Sequence, residues 1–276
     1  MGDSDSGYRL GTGIGEDEVA RLEVQGRALA PATRMIFAEA GIRPGMRVLD
    51  LGCGAGDVAF VAADLVGPGG SVVGVDRSPD ALARARLRAG QRGLTQVQFV
   101  EGDIHDPAPD GPFDAIVERL TLWAVPDPAA MLRRQATVLR AGGLVVPIEI
   151  DLSPIRSLPE TAFMTQFKSW LVEGFARAGL TMLGSRLWAI VQEAGLRPLG
   201  MIGIQPHFGP DDPVGIAYLV ETIRVAAPLI VGTGVATAEE IGMETFEQRV
   251  RDEWQRTQAV AALQMLLSAW ATTCPE

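Results

Sequence analysis

The run of residues best suited to chemistry is a glycine-rich loop between a predicted strand and a predicted helix. Residues 48–56 read VLDLGCGAG, so Gly52, Gly54 and Gly56 follow the acidic Asp50 at alternate positions. Glycine lets the backbone turn sharply and bring its N–H groups close to a ligand. The loop is therefore a candidate small-molecule binding site.

The residue that follows the loop argues against a dinucleotide. A G-x-G-x-x-G fingerprint would need a third glycine at position 57, but Asp57 stands there. Its carboxylate would repel a pyrophosphate at short range. The D-x-G-x-G-x-G form instead suits a zwitterionic amino acid with a sulfonium, because Asp50 and the loop can attract the ammonium group and the positive sulfur.

Polar residues also follow the next three predicted strands. Asp76, with Arg77 beside it, ends the second strand, where a carboxylate can accept both hydroxyls of a ribose. Asp103-Ile104 follow the third strand, where a carboxylate beside an apolar side chain can bind an adenine amino group and cover its ring. Arg119 ends the fourth strand, at the crevice where ligands of doubly wound sheets bind.

The elements that position these residues alternate between strand and helix. Apolar strands are predicted at residues 47–51, 71–76, 97–101, 113–118 and 144–150, with helices at 57–65, 79–90 and 128–139. Such a series predicts a parallel sheet with both faces covered. After residue 150 the pattern predicts helices at 160–178, 186–194, 212–230 and 238–254 and a strand at 199–206, and residues 259–271 fit either a helix or a final strand.

Five motifs, in order, resemble class I S-adenosylmethionine-dependent methyltransferases, and in particular the small-molecule branch that includes ubiquinone and menaquinone C-methyltransferases. The motifs are residues 48–56, Val73-Gly74-Val75-Asp76, Gly102-Asp103, residues 113–117 (FDAIV) and residues 139–143 (LRAGG). They cover residues from about 20 to 150. One glycine loop alone would be a weak signal, whereas five motifs in order are specific.

The resemblance implies S-adenosylmethionine as the cofactor and methyl transfer to a small, partly apolar metabolite, at carbon, oxygen or nitrogen. The expected cofactor-binding residues are Asp50, Gly52, Gly54, Gly56, Asp76, Arg77, Asp103, Ile104 and Arg119. The segment Tyr8-Arg9-Leu10-Gly11 resembles an N-terminal lid, which adds Tyr8 to this set.

The resemblance also implies an α/β fold with a doubly wound, mostly parallel seven-stranded sheet. Helical cap insertions are expected after strand five and between strands six and seven. The implied organisation is a lid and helix over residues 1–40, a cofactor-binding core over residues 41–150, and the last strands with a helical substrate cap over residues 151–276.

Methyl transfer needs little beyond alignment of the two reactants, so no catalytic triad is expected. A general base matters where the nucleophile begins protonated. His207, at the end of predicted strand six, and Glu149, at the end of strand five, are the candidates for that role. Trp123 is the candidate for the substrate pocket, and no cluster of residues has the spacing of a metal site.

Composition limits the partners. The formal net charge of −10 disfavours nucleic acid and anionic membrane surfaces. The apolar stretches at residues 225–235 and 259–271 are expected to be too short or too interrupted to span a bilayer, and no secretory signal opens the chain. A cytoplasmic enzyme with a small-molecule substrate is expected, and self-association is left open.

Two other functions fit parts of the pattern. One is an NAD-dependent oxidoreductase, against which Asp57 argues. The other is a protein that keeps the fold and binds the cofactor without methyl transfer, such as a cyclase or a regulatory binding module, since the residues named for the cofactor do not perform the transfer.

Overall fold

A computed structural model describes residues 16–106, 109 and 111–273 of the chain. Its first half alternates strands and helices, as the apolar periodicity predicts. The strands are β1 (Arg47–Leu51), β2 (Ser71–Asp76), β3 (Val97–Glu101), β4 (Phe113–Arg119) and β5 (Leu139–Asp151). The helices are α1 (Glu16–Ala40), α2 (Asp57–Val66), α3 (Pro79–Gln91) and α4 (Pro128–Gln135).

The second half completes the sheet and adds the cap. Its strands are β6 (Arg156–Leu158), β7 (Arg197–Ile204), β8 (His207–Phe208), β9 (Val260–Ala262) and β10 (Met265–Thr272). Its helices are α5 (Ala162–Arg177), α6 (Leu187–Glu193), α7 (Pro213–Gly232), α8 (Ala238–Ile241) and α9 (Met243–Thr257). The large sheet has the order β3-β2-β1-β4-β5-β10-β7, and β10 runs antiparallel to β5 and β7. The expected seven-stranded, mostly parallel sheet is thus confirmed.

Two buried layers cover the two faces of the sheet. Residues from α1, α2 and α3 form one layer with Val48 and Val117 of the strands. Residues from α4 and α6 form the other with Leu49 and Ile116. Because side chains alternate along a strand, Asp50 and Arg119 face the α1 layer, whereas Glu118 and Glu149 face the α4 layer. This alternation decides which polar residues meet at the site.

The segments that join the last strands differ from the prediction in two places, and in a third the structure decides between the two predicted alternatives. Residues 238–254 form two helices rather than one, because Gly242 takes a left-handed conformation (φ 57°) that ends α8. Residues 259–271 form β9 and β10. An apolar run alone fits either a helix or a strand, and here pairing with neighbouring strands decides for the strand. The cap also contains a small sheet, β6-β9-β8, which the sequence did not indicate.

One apolar helix of the described residues is longer than the two apolar stretches considered from the sequence. Helix α7 is 20 residues long, and an 18-residue window within it has a mean hydropathy of 1.7, so by length and composition it could cross a bilayer. Half of that window is buried, and α7 packs against α1, α5 and α9. It is a core helix of this fold, whose apolar character serves packing.

Candidate active site

The glycine loop leaves the carboxyl end of β1 in a conformation that requires its glycines. Gly52, Gly54 and Gly56 have φ values of 68°, 50° and 89°, a region that side chains rarely adopt. A Cβ atom on Gly52 would also lie 2.6 Å from Oγ1 of Thr121. The loop therefore needs glycine for both its turn and its close packing, and it leads into the N-terminus of α2, whose first N–H groups have no partner within the helix.

Asp76 organises this loop from the end of β2. Its Oδ2 accepts a hydrogen bond from the Gly54 backbone N–H at 2.8 Å, and its Oδ1 accepts one from the Ser78 N–H at 2.9 Å. A carboxylate has about four lone-pair sites, so both oxygens can still accept hydroxyl donors. Arg77, beside it, is exposed.

A cavity of about 200 Å³ lies next to the loop, between the ends of β2 and β3. Asp103 and Ile104 line it, as the placement of an adenine beside these residues requires. Gln135 lines it too, and its Nε2 donates to the carbonyl oxygen of Ile104 at 2.6 Å. Gln135 thereby fixes the backbone that presents Ile104, a role that the sequence pattern did not reveal.

Asp50 and Arg119 form a buried polar layer on the α1 face. The Asp50 side chain is 1% exposed, and burial raises the pKa of its carboxyl well above the ordinary value, which the charge of Arg119 partly offsets. In the described part of the chain, neither carboxyl oxygen has a close hydrogen-bond partner, and the Ala59 backbone N–H offsets only a small part of the rise in pKa. Arg119 donates from Nη1 to Oγ1 of Thr33 on α1 at 2.9 Å.

The unpartnered Asp50 carboxyl tests whether the site fits the implied cofactor. A buried polar group without a partner costs about 1–3 kcal/mol, and an ammonium group beside the glycine loop would relieve that cost. Asp50, the loop, Asp76 and the Asp103 cavity together offer sites for an ammonium, a ribose and an adenine. These residues fit S-adenosylmethionine, and their individual roles stay predictions.

Glu118 and Glu149 lie on the opposite face. Glu118 accepts hydrogen bonds from the Thr121 and Ile148 backbone N–H groups, each at 3.0 Å, and Oε1 of Glu149 accepts one from the Trp123 N–H at 3.2 Å. Both are 1% exposed. Burial raises the pKa of Glu149 to about 8, and burial together with the Glu149 charge raises that of Glu118. Glu149 therefore holds the turn after β4.

Trp123 acts on the same turn. It is half-buried, and its indole Nε1 donates to the carbonyl oxygen of Leu120 at 2.7 Å. Leu120 has φ 60°, an uncommon conformation for a non-glycine residue. The turn thus presents the Leu120 side chain to a second cavity, described next. Trp123 itself does not line that cavity, so a direct contact with the substrate stays a prediction.

The second cavity, of about 100 Å³, lies at the carboxyl edge of β4 and β5, under α1, α5 and α7. Its apolar wall consists of Leu120, Ile150, Leu152, Leu171, Phe175, Val225 and Ala226. Its polar wall consists of Arg21, Gln25, Tyr218, Glu221, Thr222 and Gln264. Sequence reasoning missed Tyr218 and Gln264, because their apolar neighbours give no local sign that α7 and the start of β10 meet there.

His207 and Tyr8 complete the set of predicted site residues. His207 lies in β8, where it is exposed, and its Nδ1 is 2.9 Å from the carbonyl oxygen of Gln205. It does not line the second cavity. Tyr8 lies outside the described residues. Among the described residues, no group of His, Cys, Asp and Glu side chains could hold a metal ion.

The position of Trp123 gives a first testable prediction. In Trp123→Phe, the Leu120 carbonyl loses its indole donor while most of the apolar packing remains. We expect the free energy of unfolding to fall by about 1 kcal/mol, measured by chemical denaturation, with affinity for S-adenosylmethionine unchanged. The control is Trp188→Phe on α6, where the side chain is 41% exposed. Unchanged stability of Trp123→Phe would contradict this role of the indole.

The loop, the acids at the carboxyl ends of β1, β2 and β3 and the seven-stranded sheet define a class I methyltransferase fold with a cofactor site. Comparison with known proteins gives the family. A family described as "Methyltransferase domain" matches residues 42–193, more than half of the chain. The chain belongs to this methyltransferase family, and it is an S-adenosylmethionine-dependent methyltransferase that acts on a small molecule.

Two relatives show how far the similarity extends. The chain is 31% identical over 242 residues to nocamycin O-methyltransferase from Saccharothrix syringae, with 84% of this chain and 81% of that enzyme covered. It is 43% identical over 111 residues to 2-phytyl-1,4-naphtoquinone methyltransferase from Synechococcus elongatus, with 40% of this chain and 48% of that enzyme covered. The chain thus spans most of the first relative but about half of the second.

Solved structures support the fold. The YcgJ protein from Bacillus subtilis has a TM-score of 0.56 at 20% identity and covers 89% of this chain and 99% of its own. The [4+2]-cyclase SpnF has a TM-score of 0.54 at 20% identity and covers 91% of this chain and 83% of its own. Family membership favours methyl transfer over the oxidoreductase alternative. The likeness to a cyclase shows that this fold also hosts other chemistry.

Proposed function

We propose that this enzyme transfers a methyl group to an oxygen atom of a small, mostly apolar metabolite held in the second cavity. The observation that carries the proposal is the position of this cavity beside the cofactor loop. Leu120 lines the cavity, while the next residue, Thr121, donates to the Leu51 carbonyl oxygen at 3.2 Å and packs against Gly52. Two adjacent residues of the turn after β4 therefore contact the two sites: Leu120 the second cavity and Thr121 the glycine loop.

Helix α1 forms a wall that both sites share. Leu22 lies against Gly54 of the loop, and Glu23 pairs with Arg84 of α3 at 2.6 Å. On the same helix, Arg21 and Gln25 line the second cavity. Helix α1 thus passes both the glycine loop and the second cavity, which supports the placement of two reactants next to each other.

The composition of the cavity supports an apolar acceptor. Seven of its thirteen lining residues are apolar, and they come from four elements that pack together: the turn after β4, the end of β5, α5 and α7. Burial of an apolar acceptor body against them is favourable by roughly 25 cal/mol per Å². The polar residues gather on α1, on α7 and before β10, so they orient the acceptor rather than surround it.

S-adenosylmethionine, when bound, supplies a methyl group on a positively charged sulfur, which is already a good electrophile. The residues of this chain bind the two reactants, hold the acceptor oxygen in line and exclude water. The acceptor hydroxyl loses its proton as the oxygen–carbon bond forms. Glu221 is the carboxylate on the cavity wall, 3.3 Å from Nε of Arg224. It is placed to take that proton, a role that the sequence analysis gave to His207 and Glu149.

Similarity to nocamycin O-methyltransferase supports oxygen as the methylated atom. The net charge of −10 supports the predicted absence of a nucleic-acid partner. The cytoplasmic location stays a prediction, as does self-association.

The test is transfer of a radiolabelled methyl group from S-adenosylmethionine to matched apolar acceptors that carry a phenol, a cyclic enol, a carboxylic acid or an amine. We expect labelled ethers or esters from the hydroxyl compounds and stoichiometric S-adenosylhomocysteine. Exclusive labelling of amines or carbon, or cofactor binding without transfer to any acceptor class, would overturn the proposal.

A further inference from the structure

Gln264 is a buried polar residue of the second cavity with an unused hydrogen-bond acceptor. It precedes β10 and is 4% exposed. In the described part of the chain, its Oε1 has no hydrogen-bond partner. An unsatisfied buried acceptor is costly and therefore uncommon. Its position on a cavity wall suggests that a ligand supplies the missing donor.

The neighbouring residues hold Gln264 in this orientation. Its Nε2 donates to the Tyr218 hydroxyl oxygen of α7. The backbone before it is fixed by Gln205, whose Nε2 donates to the Leu263 carbonyl oxygen at 2.7 Å and to the Pro154 carbonyl oxygen at 2.9 Å. With the amide nitrogen engaged by Tyr218, the amide oxygen is the atom left for a ligand.

Tyr218 is suited to orient this amide and not to exchange protons. Its side chain is 2% exposed. Burial raises the pKa of the Tyr218 hydroxyl, and the nearby charges of Arg119 and Arg21 only partly offset this rise. The hydroxyl therefore stays protonated at neutral pH and acts as a fixed partner of the Gln264 amide.

We propose that the side-chain oxygen of Gln264 accepts a hydrogen bond from the hydroxyl of the methyl acceptor in the bound complex, before that proton passes to Glu221 during transfer, and that Tyr218 is a positioning residue that orients Gln264. This inference rests on the proposed function and adds that the site favours acceptors with a hydroxyl donor. A hydroxyl satisfies the Gln264 oxygen, whereas an ether or a hydrocarbon of the same shape leaves it unpaired. Sites with a buried polar group discriminate strongly against ligands that cannot pair with it.

The experiment measures equilibrium binding of three matched probes by calorimetry, in the presence of S-adenosylhomocysteine. The probes are p-propylphenol, its methyl ether p-propylanisole, and propylbenzene. The wild type is expected to bind the phenol about tenfold or more tightly than the other two. Equal affinity for phenol and ether would overturn the proposal, since it would mean that a wall donor such as Arg21 or Thr222, and not the Gln264 oxygen, determines which probe binds. Absence of saturable binding by all three probes would also overturn it.

Three variants test which residues cause the preference for the phenol. In Gln264→Leu, the three probes are expected to bind with similar affinity. Removal of the unpaired Oε1 stabilises the fold, whereas loss of the Nε2 donor leaves the buried Tyr218 hydroxyl without this partner, so the two effects on stability oppose each other. In Tyr218→Phe, the preference should weaken while propylbenzene binding is retained, which a purely structural role would not produce. The control is Gln192→Leu on the exposed face of α6, which should keep the wild-type preference. A full preference in Gln264→Leu would overturn the proposal.

The binding assay separates this inference from the proposed function. If the phenol preference depends on Gln264 but no acceptor is methylated at oxygen, the proposed function fails and the assignment of Gln264 stands. If oxygen is methylated but the preference does not depend on Gln264, the proposed function stands and this assignment fails.

Discussion

Replacing Asp76 with alanine is expected to raise the dissociation constant of S-adenosylmethionine about 30- to 150-fold, which corresponds to roughly 2–3 kcal/mol. Two effects add. The variant loses the carboxylate predicted to accept the ribose hydroxyls, and it loses the acceptor of the Gly54 N–H at 2.8 Å that holds the glycine loop. Calorimetric titration with S-adenosylmethionine and S-adenosylhomocysteine measures the loss. Asp80→Ala, at an exposed position on α3, changes the net charge equally and should bind like the wild type.

A modified ligand separates the two effects. The wild type should prefer S-adenosylhomocysteine over an analogue without ribose hydroxyls, whereas Asp76→Ala should bind the two with nearly equal affinity. If the variant keeps the full wild-type preference, Asp76 orders the loop but does not contact the ribose. If the affinity for S-adenosylmethionine is unchanged, the assigned position of the ribose is wrong.

The cofactor side of the molecule could be predicted from the sequence because its signals are local. Glycines at positions 52, 54 and 56 are required by positive φ angles within one loop. Asp76 is the last residue of β2 and Asp103 follows the end of β3, and parallel strands bring their carboxyl ends to one edge. A pattern within a few residues thus fixes both the conformation and the position of the loop and of these acids.

The acceptor side could not be predicted because its contacts are long-range. Gln264 and Tyr218 are 46 residues apart in the chain, and they meet only because β10 inserts between β5 and β7. Trp123 was predicted at the crevice, but its indole is turned toward the backbone of Leu120. Such details depend on which helix covers which strand end, and residue spacing carries no information about that.

Glu149 is another residue whose contacts could not be predicted from the sequence. These contacts lead to the second prediction with a large effect, which concerns stability and pH. Its place at the end of β5 made it a candidate base, but side-chain alternation turns it to the α4 face. There it accepts the Trp123 N–H and lies close enough to Glu118 for the two charges to interact. Two buried carboxylates so placed do not ionise together readily. The buried pair therefore retains a proton at neutral pH.

This proton makes stability depend on pH. Burial raises the pKa of Glu149 from 4.5 to about 8 in the folded state. Between these values the folded state binds more protons than the unfolded state, so the free energy of unfolding falls as pH rises. The Glu149 contribution alone is up to roughly 5 kcal/mol across this window. The wild type is therefore expected to be clearly less stable at pH 9 than at pH 6.

Glu149→Gln should remove the part of this dependence that Glu149 contributes, while burial continues to raise the pKa of Glu118. The amide oxygen can still accept the Trp123 N–H, and no charge forms at high pH, which also lowers the pKa of Glu118 by removing its neighbour's charge. Urea denaturation at several pH values should show a flatter profile and greater stability than the wild type at pH 9. Glu193→Gln, at an exposed position on α6, should follow the wild-type profile. An unchanged slope in Glu149→Gln would show that Glu149 ionises freely in the folded protein.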